Sequence, residues 1–420
     1  MATTVLVLGA GGFIGGHIVV RLLSAGVPVT CCGRDIKRLH LKFPGVPAVA
    51  GDLAGDGEED WRRKLDGFEV VINAAGLIRG AMRAVHVEGP ARLFQGCRAA
   101  GVRRVVHISA IGADRAETEY QRSKQEAEDA LLAVPGIEAC VVRPSLVIGR
   151  GGSSTALFAA LAALPARARL GGGLVQPIGV DDLAEAVLRL VTSPEPPRRL
   201  DAVGPERMSV DCLIGQIGRW LGLPRQWALP IPTMALEAVA GLGDLFGAGA
   251  VSRASLAMLR QGNTGDTGPL AALLGRPPLP IAQALALNPA AQADRWQARL
   301  YLLRPVLRLS LAFLWLATAA LSFGLYPLDD SRRLLAEAGL TGPPAEAALF
   351  GGAALDGLLG GLLLAAWCPV AVGAAQLLAM LAFTLIATAL PAEYWLHPFA
   401  PLLKNLPIAA ATLAMMALEV

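Results

Sequence analysis

Two hydrophobic rhythms divide the chain. In the first 150 residues, short apolar runs alternate with longer mixed stretches. The runs are Thr4–Leu8, VPVTCC (27–32), GVPAVA (45–50), FEVVINAAG (68–76), VRRVVHIS (102–109) and IEACVVRP (137–144). Each is short, rich in Val, Ile or Cys, and bounded by Gly, Pro, Asp or Asn, which predicts strands. HIVVRLLSAG (17–26) and stretches 84–100 and 117–133 between them read as helices. A strand–helix alternation with short connections predicts a doubly wound parallel α/β sheet. Ligands bind such sheets at the carboxyl ends of the strands, here Gly9–Gly15, Arg34, Asp52, Asn73–Gly76, Ser109 and Pro144–Ser145.

The second rhythm is a near absence of polar positions. Residues 309–326 and 370–390 are uncharged, 347–368 carries Asp356 in its middle, and 397–418 carries Lys404. A membrane span needs ~20 apolar residues, so these four stretches predict an all-α transmembrane four-helix domain. Arg295, Arg299, Arg304 and Arg308 precede the first span, whereas the 327–346 loop is acid-rich. That bias predicts an inner-membrane, multi-pass protein with its N-terminal domain in the cytoplasm. Asp356 and Lys404 fall at similar depths, so an intramembrane ion pair is one expectation. The other is that Lys404 snorkels outward while Asp356 bonds a neighbouring helix.

Composition fits that division. The chain of 420 residues is 54% hydrophobic and 17% charged, and four of its five lysines lie before residue 130. Net charge is +3 with no long basic run, which argues against a nucleic-acid partner. The six cysteines form no CxxC pattern, so neither a disulfide framework nor a metal site is expected. MATTVLVLGAGG lacks a charged leader pattern, so no secretory signal is expected. Residues 1–222 are expected to form the nucleotide-binding domain and 301–420 the membrane domain. Residues 223–300, Pro-rich and then apolar, are expected to form a substrate-side lid and linker. Within it, 234–250 is broken by Glu237 and Asp244 and reads as a lid or membrane-surface helix.

Candidate chemistry sits in the first rhythm. GAGGFIGG places Gly9, Gly12 and Gly15 between a strand and a helix, the arrangement that aims backbone N–H groups at a pyrophosphate. Tyr120 and Lys124 are spaced to share one helix face. A random Tyr-x-x-x-Lys is expected roughly 0.05 times in this chain, so the pair reads as a site in preference to a solvated helix face. A nearby ammonium lowers a phenol's pKa from about 10 and makes Tyr120 a usable acid/base.

These features resemble the extended or atypical short-chain dehydrogenase/reductases. GAGGFIGG, GDL (51–53), NAAG (73–76), Ser109, Tyr120-x-x-x-Lys124 and RPSLVIG (143–149) stand in the family's order over about residues 1–290. HISAIGAD and the compact gap to Tyr120 are most similar to the branch containing the NADPH-binding accessory subunit of respiratory complex I. The resemblance implies a Rossmann domain with Tyr120, Lys124 and Ser109 as catalytic residues. It further implies cofactor contacts from Gly9, Gly12, Phe13, Ile14, Gly15, Arg34, Asp52, Leu53, Ala74, Ala75, Gly76, Lys124 and Pro144. Where many members carry a relay Asn, this chain has His86, which a structural hydrogen bond also explains. Ser109 can equally cap its strand end, and Asp52 its turn. Arg34 directly after the second strand favours NADP(H) over NAD(H), although the adjacent Asp35 keeps NAD open. HPFAPLLKNLPI (397–408) resembles the last-helix motif of DoxX-like membrane proteins.

The expected protein is therefore a membrane-anchored NADP(H)-dependent oxidoreductase acting on an apolar carbonyl or quinone-like molecule. The alternatives are a non-turnover NADPH-binding module of a membrane complex, and a transport or electron-transfer scaffold whose activity lies in the spans.

Overall fold

The computed structural model describes residues 3–77, 80–224, 226–230, 253–388 and 402–419, with 232, 234, 237, 238, 240 and 241 besides. Most of the 234–250 stretch, and 397–401 of the last expected span, lie outside the described residues. The chain divides into two compact units, one ending at Ala298 and the other starting at Arg299.

The first unit is built on a seven-stranded sheet. Its strands are β1 (Val5–Leu8), β2 (Val29–Gly33), β3 (Ala48–Ala50), β4 (Val70–Asn73), β5 (Arg104–Ile108), β6 (Glu138–Pro144) and β7 (Arg199–Ala202). They lie in the order β7-β6-β5-β4-β1-β2-β3 and every pairing is parallel. Side chains of a strand point alternately to the two faces, so both faces must be apolar when both are covered. Accordingly Val5 and Val7 join a core with Ile18, Leu22, Leu183 and Leu190, while Leu6 and Leu8 join Trp61, Leu93, Phe94 and Leu131. Strand β7 escapes the sequence reading because Arg-Leu-Asp-Ala is short and half polar, as an edge strand with one wet side can be.

Helices α1 (Phe13–Ser24), α2 (Ile36–Lys42), α3 (Glu58–Lys64), α4 (Gly89–Ala99), α5 (Glu119–Leu132), α6 (Ser153–Ala163), α7 (Val180–Thr192) and α8 (Val210–Trp220) flank or extend the sheet. Helix α5 starts where it does because Thr118 and Gln121 form a reciprocal capping box, with bonds of 3.0 and 3.1 Å. A third core joins Phe158 of α6 and Leu213, Ile214 and Ile217 of α8 to Ile281, Leu285 and Ala298. Residues well past 223 thus share a core with the end of the nucleotide-binding stretch.

The second unit is helical: α9 (Leu303–Ala320), α10 (Pro343–Leu364), α11 (Pro369–Ala387) and α12 (Asn405–Leu418). Among the described residues three helices, Leu303–Leu325, Pro343–Leu364 and Pro369–Ala387, are long and apolar enough to cross a membrane. The fourth expected span is shorter in its described part, 14 residues, or ~21 Å of helix. The Asp356–Lys404 pair does not form among the described residues. Lys404 is exposed, whereas Asp356 is 5% exposed with Oδ1 unpartnered.

Candidate active site

The glycine turn after β1 is dictated by space. Gly9 has φ +82°, and a Cβ there would sit 2.7 Å from the Ala75 nitrogen. A Cβ on Gly15 would strike the Gly9 carbonyl, so the turn and the first turn of α1 pack backbone to backbone. Helix α1 begins with no side-chain cap and no acidic residue in its first turn, which leaves its N–H groups for an anion. Strands β1 and β4 are neighbours, with Leu8 opposite Asn73, so the turn faces the Ala74–Gly76 loop at the point where strand order reverses.

A cavity of about 380 Å³ opens there. Of the sequence-predicted residues, Gly12, Phe13, Ile14, Ala74, Ala75, Gly76, Ser109, Tyr120, Lys124 and Pro144 line it. Gly9 and Gly15 shape the turn from behind, and Leu53 is buried in the core under it. Arg34 and Asp52 stand outside the lining. The far wall is apolar, with Leu146, Leu157, Phe158 and Leu259.

Helix α5 presents Tyr120, Lys124 and Glu128 at successive i+4 positions. Glu128 is fully buried and held by Arg143, with contacts of 2.5, 2.9 and 3.0 Å. Ser109 donates its hydroxyl proton to Glu128 at 2.5 Å. A hydroxyl has one proton, so Ser109 offers the cleft only lone pairs. Lys124 Nζ donates to the Ile108 carbonyl at 3.0 Å and lies 6.0 Å from the Tyr120 ring centre. Burial pushes the Lys124 ammonium down to about 8, against a pull upward from Glu128. Burial also pushes the Tyr120 phenol up to about 12, with no compensating effect of Lys124. The expected lowering by the ammonium is therefore absent in this geometry, because desolvation dominates.

His86 is a structural histidine here. Its Nε2 accepts from the Leu77 N–H at 2.8 Å, which puts the proton on Nδ1 for the bond to Ser123 Oγ at 3.0 Å. Burial, helped by Lys124, lowers its pKa to about 3. With both nitrogens committed, it has no free position for a relay.

At the end of β2, the Asp35 carboxylate caps α2 by accepting from the Arg38 N–H at 3.0 Å. Arg34, Lys37 and Arg38 are exposed and have no ion-pair partner among the described residues. Asp52 Oδ1 accepts from the Ala54 N–H at 3.1 Å, a turn-capping role. Lys42 reaches back from α2 to donate to the Gly11 and Gly12 carbonyls, both at 3.0 Å.

Sequence reading missed Glu128, Arg143, Lys42 and Asn263. Glu128 carried a signal, since it continues the Tyr120–Lys124 spacing by one more turn. The others come from elements far apart in the chain. Asn263, for example, reaches the cleft by pairing its backbone with Leu174, Gln176 and Ser145. Among the described residues there is no group of His, Cys, Asp and Glu able to hold a metal.

The chain matches the NAD(P)H-binding family over residues 9–194 and the DoxX-like family over residues 312–413. It is 32% identical to a ceramide reductase of Caulobacter vibrioides over 36% of this chain and 48% of that protein, about half its length. It is 28% identical to sterol demethylase protein B of Methylococcus capsulatus over 57% of this chain and 81% of that protein. Its fold is similar to that of an NADPH-dependent quinone oxidoreductase of Escherichia coli, with a TM-score of 0.54 at 18% identity, over 67% of this chain and 99% of that one. The chain belongs to the NAD(P)H-binding short-chain dehydrogenase/reductases and carries a DoxX-like domain over residues 312–413.

Proposed function

We propose that the protein is a membrane-anchored NADP(H)-dependent oxidoreductase that exchanges hydride with an apolar carbonyl or quinone-like substrate. The observation that carries the reading is the single cleft that joins the uncapped start of α1, the Tyr120–Lys124 pair and an apolar wall. The glycine turn fits a dinucleotide, because side chains at Gly9 and Gly15 are excluded sterically. Support for NADP(H) comes from Arg34, Lys37 and Arg38, which have no ion-pair partner among the described residues, beside an Asp35 already spent on capping α2. Two relatives are named for ceramide and sterol chemistry, which supports an apolar substrate. The DoxX-like unit and its apolar helices support tethering to the bilayer, and the arginines before the first span support an N-terminal unit on the cytoplasmic side.

NADP(H), when bound, would supply or accept the hydride. Tyr120 is protonated at neutral pH and is the group to donate a proton to a substrate carbonyl oxygen. The phenolate left behind needs a positive neighbour, and Lys124 on the same face is the cation available. Ser109 can accept from the resulting hydroxyl, so it holds the alcohol form of the substrate.

Titration of the full chain in detergent with NADPH and NADH, read by nicotinamide fluorescence, tests the cofactor assignment. NADPH is expected to bind more tightly, and Arg34→Ala to remove that advantage. Oxidation of NADPH dependent on a long-chain carbonyl or quinone, lost in Tyr120→Phe, is the expected activity. Tight binding without turnover across such a panel would favour the non-turnover module instead. The committed Ser109 proton and the raised Tyr120 pKa are the observations on its side.

A further inference from the structure

Among the described residues of the membrane unit, several buried polar atoms have no hydrogen-bond partner. Asp356 on α10 is 5% exposed, and its Oδ1 has no hydrogen-bond partner among the described residues. Gln376 on α11 is 1% exposed, and both its Oε1 and its Nε2 lack partners. Trp315 on α9 is 7% exposed with an unpartnered Nε1. Thr412 on α12 is 1% exposed; its hydroxyl donates to Ile408 at 3.0 Å and keeps its lone pairs.

These residues share one face and one depth. Trp315 belongs to the apolar core formed with Leu359, Leu363, Val372, Ala379 and Met415. Asp356 precedes Leu359 by three positions, Gln376 lies between Val372 and Ala379 at helical spacing, and Thr412 precedes Met415 by three. Each therefore points to the side of its helix that the core occupies. Close approaches set the register: Gly360 against Leu316, Gly357 against Ala319, Gly352 against Phe383 and Gly373 against Met415 and Met416. Counting from them at ~1.5 Å per residue, all four residues fall within ~10 Å of one depth.

Leaving such groups unpaired in an apolar interior is costly, and a side chain retained there at a cost points to a ligand. The unpartnered set is mixed. Nε1 of Trp315 and Nε2 of Gln376 donate, whereas Oδ1 of Asp356 and Oε1 of Gln376 accept. A bare cation would be met by the two donors, and a simple anion by the two acceptors. A neutral group that both accepts and donates fits, inside walls of Leu, Val, Ala and Met.

We infer that Trp315, Asp356, Gln376 and Thr412 form a binding site within the membrane unit for a lipid-soluble molecule carrying a hydroxyl group. The site stands independently of the chemistry assigned to the first unit.

The test is photolabelling of the full chain in lipid nanodiscs with a diazirine-bearing long-chain alcohol, the matching ketone and the matching hydrocarbon. The alcohol is expected to label peptides from α9, α10 and α11 more strongly than the ketone, and excess unlabelled alcohol should compete. Labelling should fall about tenfold in Asp356→Leu and in Gln376→Met, the second being close in volume to the natural residue. Thermal stability of both variants should be unchanged or higher, because each removes an unpaired buried group. NADPH binding, measured on the same samples, should be unaffected. Equal labelling by the hydrocarbon, or labelling unchanged in both variants, would overturn the proposal. So would a lowered melting temperature in both, which would mean that the polar groups bond one another or ordered water as part of the fold.

Discussion

The two units bury ionisable side chains under opposite rules. In the first, Glu128 is fully buried and every one of its roles is filled: Arg143 grips it, Ser109 donates to it and Lys124 lies one turn away. In the second, Asp356 is buried almost as deeply with Oδ1 unpartnered. A saturated network fixes the shape of a cleft, since removing one partner strands the others. An unsaturated one contributes little to shape and keeps its bonding capacity for something else. The difference teaches that burial alone does not reveal what a charge is for; the count of its partners does.

Removing partners from each network is the way to break that comparison. Glu128→Ala should be the largest stability change, costing about 3–5 kcal/mol, because the largely buried Arg143 loses its short ion pair and is left with exposed Asp114 at 3.7 Å. Denaturant unfolding followed by a reporter in the first unit would measure it, and a cost as small as that of Asp356→Leu would erase the contrast. Tyr120→Phe should lower turnover about 10²–10⁴-fold while leaving nucleotide affinity intact, which steady-state rates and fluorescence titration together would resolve. Arg34→Ala should weaken NADPH about tenfold and NADH hardly at all, seen in the same titration.

The pH dependence separates the units further, because the buried Lys124 and the half-buried Tyr120 both titrate inside the first unit. Lys124 falls from 10.5 to about 8 on folding, so between those values the unfolded chain holds more protons and stability should rise with pH. Tyr120 moves from 10.0 up to about 12, so over that range the folded chain holds more protons and stability should fall as pH rises. Melting curves across alkaline pH should show the first trend vanish in Lys124→Met and the second in Tyr120→Phe. The smallest effect expected is at the capping box of α5, where Thr118→Ala should cost about 1 kcal/mol in unfolding free energy.

Local signals carried most of what could be read in advance. Six strands of the sheet, the glycine turn and the Tyr120–Lys124 face were legible because each is set by neighbours within a few residues. The apolar helices of the second unit were legible for the same reason, since hydropathy needs no partner. Strand β7 was not, because its four residues become a strand only by pairing with β6.

What the sequence determined by itself is therefore the doubly wound unit, the membrane unit and the residue types that chemistry would need. The state of those residues belongs to the tertiary structure. Asp35 was an open choice between ribose ligand and cap until α2 took it as a cap. Ser109 became an acceptor only when Glu128, nineteen positions on, came within 2.5 Å. Lys124 failed to lower the Tyr120 pKa because folding buried Lys124 and took Tyr120 largely out of water in the cleft. Spacing along a helix can name a pair, but the dielectric and the competing partners around it exist only once distant elements have closed over it.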